Sequence, residues 1–200
     1  GKTTITPDLP ATVATITASD SAGGVDIDTG ATAEATNAVA TFDQTDFTFT
    51  GGAAADTLDL SSTPAAREVS VTMGAGDDIV IMDEEVAGDT AAAATAGDSI
   101  DGGDGSDTAS YSTSSSAVSI NLLSSSFSGG DAEGDTLTSI ENVIGSDYAD
   151  LIIGDSQNNT LTGGAGDDTV KGGDGWDVLI GGAGYDTLYG GTGNNYYIGG

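Results

Sequence analysis

Residues 145–198 decide the fold, and they read GSDYADLII GDSQNNTLT GGAGDDTVK GGDGWDVLI GGAGYDTLY GGTGNNYYI. The stretch divides into six consecutive blocks of nine residues, and no block gains or loses a residue. Glycine always stands at position 1, Asp or Asn at position 6, and an apolar or aromatic residue at position 8. Such a fixed period indicates a repeat architecture, in which each unit buries its apolar side against its neighbours.

Each block predicts a six-residue turn followed by a three-residue strand. Glycines at positions 1, 2 and 4 are expected to supply the unusual backbone dihedral angles of the turn. Alternate side chains of a strand face opposite ways, so only the middle strand residue should be buried. Two blocks make one coil with a strand on each side, and coils stack at roughly the 4.8 Å spacing of paired strands. The sequence therefore predicts an all-β fold, a right-handed parallel β-roll or β-solenoid.

The same pattern recurs in diluted form before residue 145. Residues 102–110 read GGDGSDTAS, residues 73–81 read MGAGDDIVI, and residues 51–59 read GGAAADTLD. Residues 93–101 keep the register but lack the glycine pair. The position-6 residues of these blocks are Asp107, Asp78, Asp56 and Asp98.

Regularity divides the chain into three parts. Residues 1–50 carry almost no repeat signal and are predicted to form an irregular β-rich lead-in, because parts of them alternate like strands. Residues 51–144 are predicted to be a divergent, less regular solenoid-like region, and residues 145–200 the regular β-roll. The sequence stops on Gly199 and Gly200, the opening pair of another block, so we expect a piece of a longer protein.

Composition restricts the chemistry of the chain. Lys and Arg number 3 against 32 Asp and Glu, a formal charge of −29, which excludes nucleic acid as a partner. The same charge makes a compact state costly unless a cation neutralises the carboxylates. Cys and His are absent, so metal chemistry is limited to oxygen ligands, as for calcium or magnesium. No apolar run approaches the roughly 18 residues of a membrane span.

The turns offer oxygen ligands of the kind that calcium takes. In residues 163–168, GGAGDD, glycine-rich backbone leaves carbonyls free to point into the loop, and Asp168 adds a carboxylate. One turn has too few oxygens for six or more ligands, whereas two stacked turns have enough. Turns on one side of the roll are two blocks apart, so Asp150, Asp168 and Asp186 form one column.

The opposite column alternates Asn159, Asp177 and Asn195, and because asparagine carries no charge we expect weaker or fewer ions there. The predicted calcium ligands are the position-6 carboxylates and the residues of the glycine-rich turns. They are Asp150, Gly163, Gly164, Ala165, Gly166, Asp168, Gly172, Gly173, Asp174, Gly175, Asp177, Gly181, Gly182, Ala183, Gly184, Asp186, Gly102, Asp104, Asp107, Asp98 and Asp78, with Asn159, Asn195 and Asp56 as weaker ligands.

The pattern G-G-x-G-x-D-x-apolar-x resembles the RTX (repeats-in-toxin) nonapeptide family, most closely in GGAGDDTVK, GGDGWDVLI and GGAGYDTLY. The resemblance covers residues 97–200 well and residues 51–96 loosely. It implies several calcium ions bound between turns by position-6 aspartates and turn carbonyls, and export by a one-step (type I) secretion system. Asn159, Asn195 and the reduced glycine content of GSDYADLII and GDSQNNTLT depart from the family pattern.

Other interpretations of these motifs are weaker. A disordered acidic linker does not explain the regular apolar residue at position 8. An EF-hand needs flanking helices, for which residues 101–107 have no signal. Adjacent carboxylates such as Asp167 and Asp168 are more typical of a tandem repeat than of a glycosidase.

Four outward-facing strand residues form an apolar patch beside the second column. They are Val178, Ile180, Tyr196 and Ile198, and we expect them to pack against another segment of the same protein or a second copy.

The sequence as a whole predicts a calcium-binding structural module rather than an enzyme. It would belong to a secreted or cell-surface bacterial protein and fold on binding calcium outside the cell. One interpretation is a surface-layer or adhesin-like scaffold, favoured by scattered upstream repeats and the lack of catalytic constellations. The other is the secretion or carrier module of a secreted hydrolase or toxin whose catalytic domain lies outside this chain.

Overall fold

The computed structural model of the chain describes residues 3–5, 14–18, 25–28, 37–42, 47–60, 69–82 and 97–200. Within these residues the regular structure is β-strand apart from one short 3-10 turn at Gly130–Ala132, and there is no α-helix. The strands are β1 Thr3–Ile5, β2 Ala14–Ala18, β3 Val25–Asp28, β4 Asn37–Phe42, β5 Phe47–Thr50, β6 Thr57–Asp59, β7 Val69–Thr72, β8 Ile79–Ile81, β9 Ser99–Asp101, β10 Thr108–Ser110, β11 Ser119–Asn121, β12 Ser126–Ser128, β13 Thr136–Thr138, β14 Asn142–Ile144, β15 Leu151–Ile153, β16 Thr160–Ala165, β17 Thr169–Asp174, β18 Val178–Ala183, β19 Thr187–Thr192 and β20 Tyr196–Ile198.

The strands stack into three sheets that together form a parallel β-solenoid, as the repeats predict. A nine-stranded sheet has the order β2-β4-β6-β8-β10-β14-β16-β18-β20. Strands that alternate with these along the chain form a six-stranded sheet, β1-β3-β5-β7-β9-β13, and a five-stranded sheet, β12-β11-β15-β17-β19. The nine-stranded sheet crosses both boundaries of the proposed three-part division, which remains a prediction from regularity alone.

The position-8 residues stack in register along the core. Leu161 pairs with Leu179 and Val170 with Leu188, one coil apart, and Leu161, Val170 and Leu179 are fully buried. Tyr197 continues this row in the last coil, where it is half exposed. Burial of one apolar residue per strand against the coils on either side therefore stabilises the stack.

Four of the six strands of the regular repeats are longer than the three residues predicted. Strands β16 to β19 each have six residues, because the ladder continues through the first three positions of the following turn. Gly164, for example, pairs with Gly182 in the next coil. The turn backbone is therefore part of the sheet and holds neighbouring turns at strand spacing.

Only two of the three turn glycines adopt the conformation predicted for them. Position 2 and position 4 have positive φ, as at Gly164 (121°) and Gly166 (114°), whereas position-1 Gly163 does not. Position 1 requires glycine for a different reason. A Cβ at Gly163 would lie 2.3 Å from Oδ2 of Asp168, so the side chain of position 6 fills that space.

An insertion between β10 and β13 interrupts one side of the solenoid. Here β11 and β12 pair in antiparallel fashion, and β11 then pairs in parallel with β15. The six-stranded sheet ends at β13 and the five-stranded sheet begins at this hairpin. The nine-stranded sheet continues unbroken past the same point through the pairs β10–β14 and β14–β16.

Candidate metal sites

The position-6 residues of the regular repeats form the two columns that the sequence predicts. In the first column the N–H of Asp150 donates to Oδ1 of Asp168 at 2.8 Å, and the N–H of Asp168 donates to Oδ1 of Asp186 at 3.1 Å. Each side chain thus ties its own turn to the preceding coil. The second column repeats this bond at 3.0 Å from Asn159 to Asp177 and at 2.9 Å from Asp177 to Asn195.

The divergent upstream blocks make the same hydrogen bond between position-6 residues, and we call this series of bonds the position-6 ladder. The N–H of Asp56 donates to Oδ1 of Asp78 at 2.7 Å, and the N–H of Asp78 to Oδ1 of Asp107 at 2.8 Å, across 22 and 29 residues of sequence. Asp98 donates its N–H to Oδ1 of Asp135 at 2.9 Å. Coils of unequal length therefore bring the predicted position-6 residues into the stacking pattern of the regular roll.

Two members of the ladder are absent from the sequence-based ligand set, Glu141 and Asp135. Oε2 of Glu141 accepts the N–H of Asp107 at 2.9 Å, and the Glu141 carbonyl accepts Nδ2 of Asn159 at 2.8 Å. Glu141 directly precedes strand β14, as a position-6 residue does, but only residues 139–141 separate β14 from β13. This turn is three residues long instead of six, which conceals Glu141 in the sequence.

Asp78, Asp107, Asp168 and Asp177 each hold a buried carboxylate oxygen, Oδ2, that accepts no hydrogen bond within the described part of the chain. All four residues are at most 1% exposed. Burial raises the pKa of Asp78 and of Asp168 to about 6, and neighbouring carboxylates add to the rise. Burial likewise raises the pKa of Asp107 and Asp177. A buried, unpaired carboxylate is costly, so these oxygens fit the role of cation ligands.

Backbone carbonyls would have to supply most of the remaining ligands. Among the described residues no three acidic side chains converge on one point. Asp104 and Asp174, predicted as ligands, have exposed side chains, and Oδ1 of Asp174 contacts the Thr192 hydroxyl of the next coil. Stacked turns do bring carbonyls close, since a Cβ on Gly182 would lie 2.0 Å from the carbonyl oxygen of Gly164. One carboxylate oxygen with several carbonyls is a donor set that suits calcium.

The turns at residues 145–150 and 154–159 differ from the others. Oδ2 of Asp150 accepts the N–H of Ser146 at 2.6 Å and the Ser146 hydroxyl at 3.0 Å. Oδ1 of Asn159 accepts the N–H of Asp155 at 2.9 Å. Protein groups therefore already satisfy the position-6 side chains where the sequence departs from the glycine pattern.

The described residues form a parallel solenoid whose stacked turns present buried carboxylates, and these are the features of a calcium-binding β-roll. The family model of the RTX calcium-binding nonapeptide repeat matches in four copies, at residues 87–110, 144–175 and 171–200. The matched residues are therefore RTX calcium-binding nonapeptide repeats, as the sequence pattern indicates. The matches include the turn of Asp107 but not those of Asp56 and Asp78. A search of curated proteins finds no match to the chain.

In the part of the chain that the structure describes, no helix has the length and apolar character needed to cross a bilayer.

Proposed function

We propose that this chain is a structural module of a secreted or cell-surface bacterial protein, that calcium completes its fold outside the cell, and that it has no catalytic role. The unpartnered carboxylate oxygens in the turns of Asp78, Asp107, Asp168 and Asp177 carry the proposal. They give folding a direct need for cations at defined positions. Within the module the repeats are the scaffold itself, as in a surface-layer or adhesin-like protein.

The net charge of the chain supports neutralisation by bound cations rather than by basic side chains. The chain has 3 basic residues against 32 acidic ones, and Lys171 is the sole basic side chain within the described ranges. The Lys171 ammonium lies over the Tyr189 ring, 6.0 Å from its centroid. Within the described ranges no protein group pairs with the Oδ2 atoms of Asp78, Asp107, Asp168 and Asp177, so the free energy of binding calcium becomes free energy of folding.

Calcium concentration would then decide where the chain folds. Extracellular calcium-binding modules have dissociation constants of about 10⁻⁴ to 10⁻³ M. Cytosolic calcium is far lower, so the repeats would remain unfolded before export and fold outside. This behaviour is compatible with type I export, the route that the RTX resemblance implies, and also with the carrier module of a secreted hydrolase or toxin.

The proposal predicts a calcium-dependent transition in far-ultraviolet circular dichroism. In EDTA the chain should lose much of its β signal, and the signal should return with a midpoint near millimolar calcium. Magnesium chloride at equal ionic strength is the control for charge screening, because magnesium demands stricter octahedral geometry and retains its waters. An equally folded chain in EDTA, or no calcium uptake by titration calorimetry at millimolar levels, contradicts the proposal.

The apolar patch defined by Val178, Ile180, Tyr196 and Ile198 supports a second component of the proposal, contact between copies of the chain. Val178 pairs with Tyr196 and Ile180 with Ile198 in adjacent strands, so the four residues are contiguous on the outer face. Tyr196 is 64% and Ile198 40% exposed. Exposed contiguous apolar surface of this kind favours association.

Replacing Val178 and Ile180 with lysine should reduce self-association without unfolding the roll. Sedimentation velocity in calcium measures the association, and circular dichroism checks the fold. Thr169→Lys with Thr187→Lys adds the same charge to the outer face of β17 and β19 and should leave association unchanged. Equal sedimentation of the two double variants and the unmodified chain would count against a contact at this patch.

A further inference from the structure

The backbone conformation of turn position 2 separates two kinds of turn. At Gly164 and Gly173, φ is 121° and 108°, and Oδ2 of Asp168 and Asp177 accepts no hydrogen bond. Position 2 is also glycine with positive φ in the turns of Asp78 and Asp107, namely Gly74 (103°) and Gly103 (94°). Those two aspartates have the same unpartnered oxygen. We call these the open turns.

The second kind of turn closes on its own backbone. Ser146 and Asp155 occupy position 2, neither has positive φ, and each donates its N–H to the side chain four residues later. Gly52, at position 2 of residues 51–56, closes its turn in the same way, because it lacks positive φ and donates its N–H to Oδ2 of Asp56 at 3.0 Å. We call these the self-closed turns.

The self-closed turns of Asp150 and Asn159 lie on opposite sides of a single coil. Asp150 precedes β15 of the five-stranded sheet, and Asn159 precedes β16 of the nine-stranded sheet. The carboxylate of Asp135, which precedes this coil in the chain, also has a protein donor. The fully buried Tyr111 donates its hydroxyl to Oδ2 of Asp135 at 2.8 Å. The coil of residues 145–162 therefore has protein donors where the open turns have none.

From this division we infer that residues 145–162 form a calcium-independent collar. The inference rests on the proposed function, because the open turns on both sides of the collar need calcium to complete them. The collar then gives the calcium-dependent repeats that follow it a folded edge, strands β15 and β16, on which to add. Because these strands are already ordered, the repeats that follow can fold onto them without the free-energy cost of forming a first coil.

Amide hydrogen exchange of the whole chain in EDTA tests the collar. Amides of β15 and β16 should exchange at least about tenfold more slowly than those of β18 and β19, because local opening is governed by local stability. Equal exchange rates in the two segments, whether both fast or both slow, would overturn the inference. The proposed function fails on a separate observation, the absence of calcium uptake by the unmodified chain.

Discussion

Asp168→Asn is expected to weaken calcium binding, and so to raise the calcium concentration needed for folding, more than other single charge changes in the regular repeats. Oδ1 of Asp168 accepts the N–H of Asp150, and an asparagine Oδ1 can do the same, as Asn195 does for Asp177. The buried Oδ2 becomes an amide NH2, which cannot ligate a cation. The calcium midpoint should therefore rise about tenfold or more, since ligand charge sets the affinity of such sites.

Asp167→Asn is the matched control for this variant. It removes the same charge from the adjacent residue, whose side chain is exposed and whose Oδ1 accepts the N–H of Tyr185 at 2.9 Å. Asparagine keeps that bond as well, and exposed charges interact weakly through water. A calcium titration followed by circular dichroism should shift for Asp168→Asn and hardly move for Asp167→Asn. Equal midpoints for the two variants would show that net charge, not a ligand position, controls folding.

Gly164→Ala is expected to be strongly destabilising. Its φ of 121° lies in a region that residues with a Cβ avoid, and the added Cβ would lie 2.0 Å from the Ser146 carbonyl oxygen. Backbone strain and overpacking together should cost on the order of 4 kcal/mol. The obstructing atom is main chain of the neighbouring coil, so it cannot move aside without opening the stack.

Gly199→Ala provides the comparison, because nothing lies within 4 Å of a Cβ at that position. In saturating calcium, urea unfolding should give a much lower free energy of unfolding for Gly164→Ala and an unchanged value for Gly199→Ala. If Gly164→Ala retained the stability of the unmodified chain, the close approach of adjacent turns described for this coil would be wrong.

Strict nine-residue spacing made the regular roll predictable from sequence. An unbroken register fixes which residues meet, so the row from Leu161 to Leu179 and the column from Asp150 through Asp168 follow from counting alone. The same counting failed at Glu141, because the turn that precedes β14 has three residues, 139–141, instead of six. Here the structure recovers the register from hydrogen bonding.

The upstream pairings depend on distances that no local pattern encodes. Coils that separate Asp78 from Asp107 by 29 residues and Asp107 from Glu141 by 34 contain insertions whose length is free. The β11–β12 hairpin is one such insertion, and its pairing with β15 is a contact between segments far apart in sequence. Periodicity alone therefore gives the position-6 residues of these blocks without giving their order in the stack.

The role of position 1 was also beyond the sequence pattern. Glycine is selected at a position either by its dihedral angles or by the space that a Cβ would need, and both leave the same letter in the sequence. At Gly163 the structure assigns the second cause, through the 2.3 Å approach to Oδ2 of Asp168.

All hydrogen bonds of the position-6 ladder point the same way along the solenoid, so its two ends present different groups. Every coil offers an amide hydrogen to the coil that follows it and a carboxylate or amide oxygen to the coil before it. Two stacks brought together through like ends would set donor against donor or acceptor against acceptor. Any end-to-end growth of this architecture must therefore be head-to-tail, with one orientation maintained along the whole length.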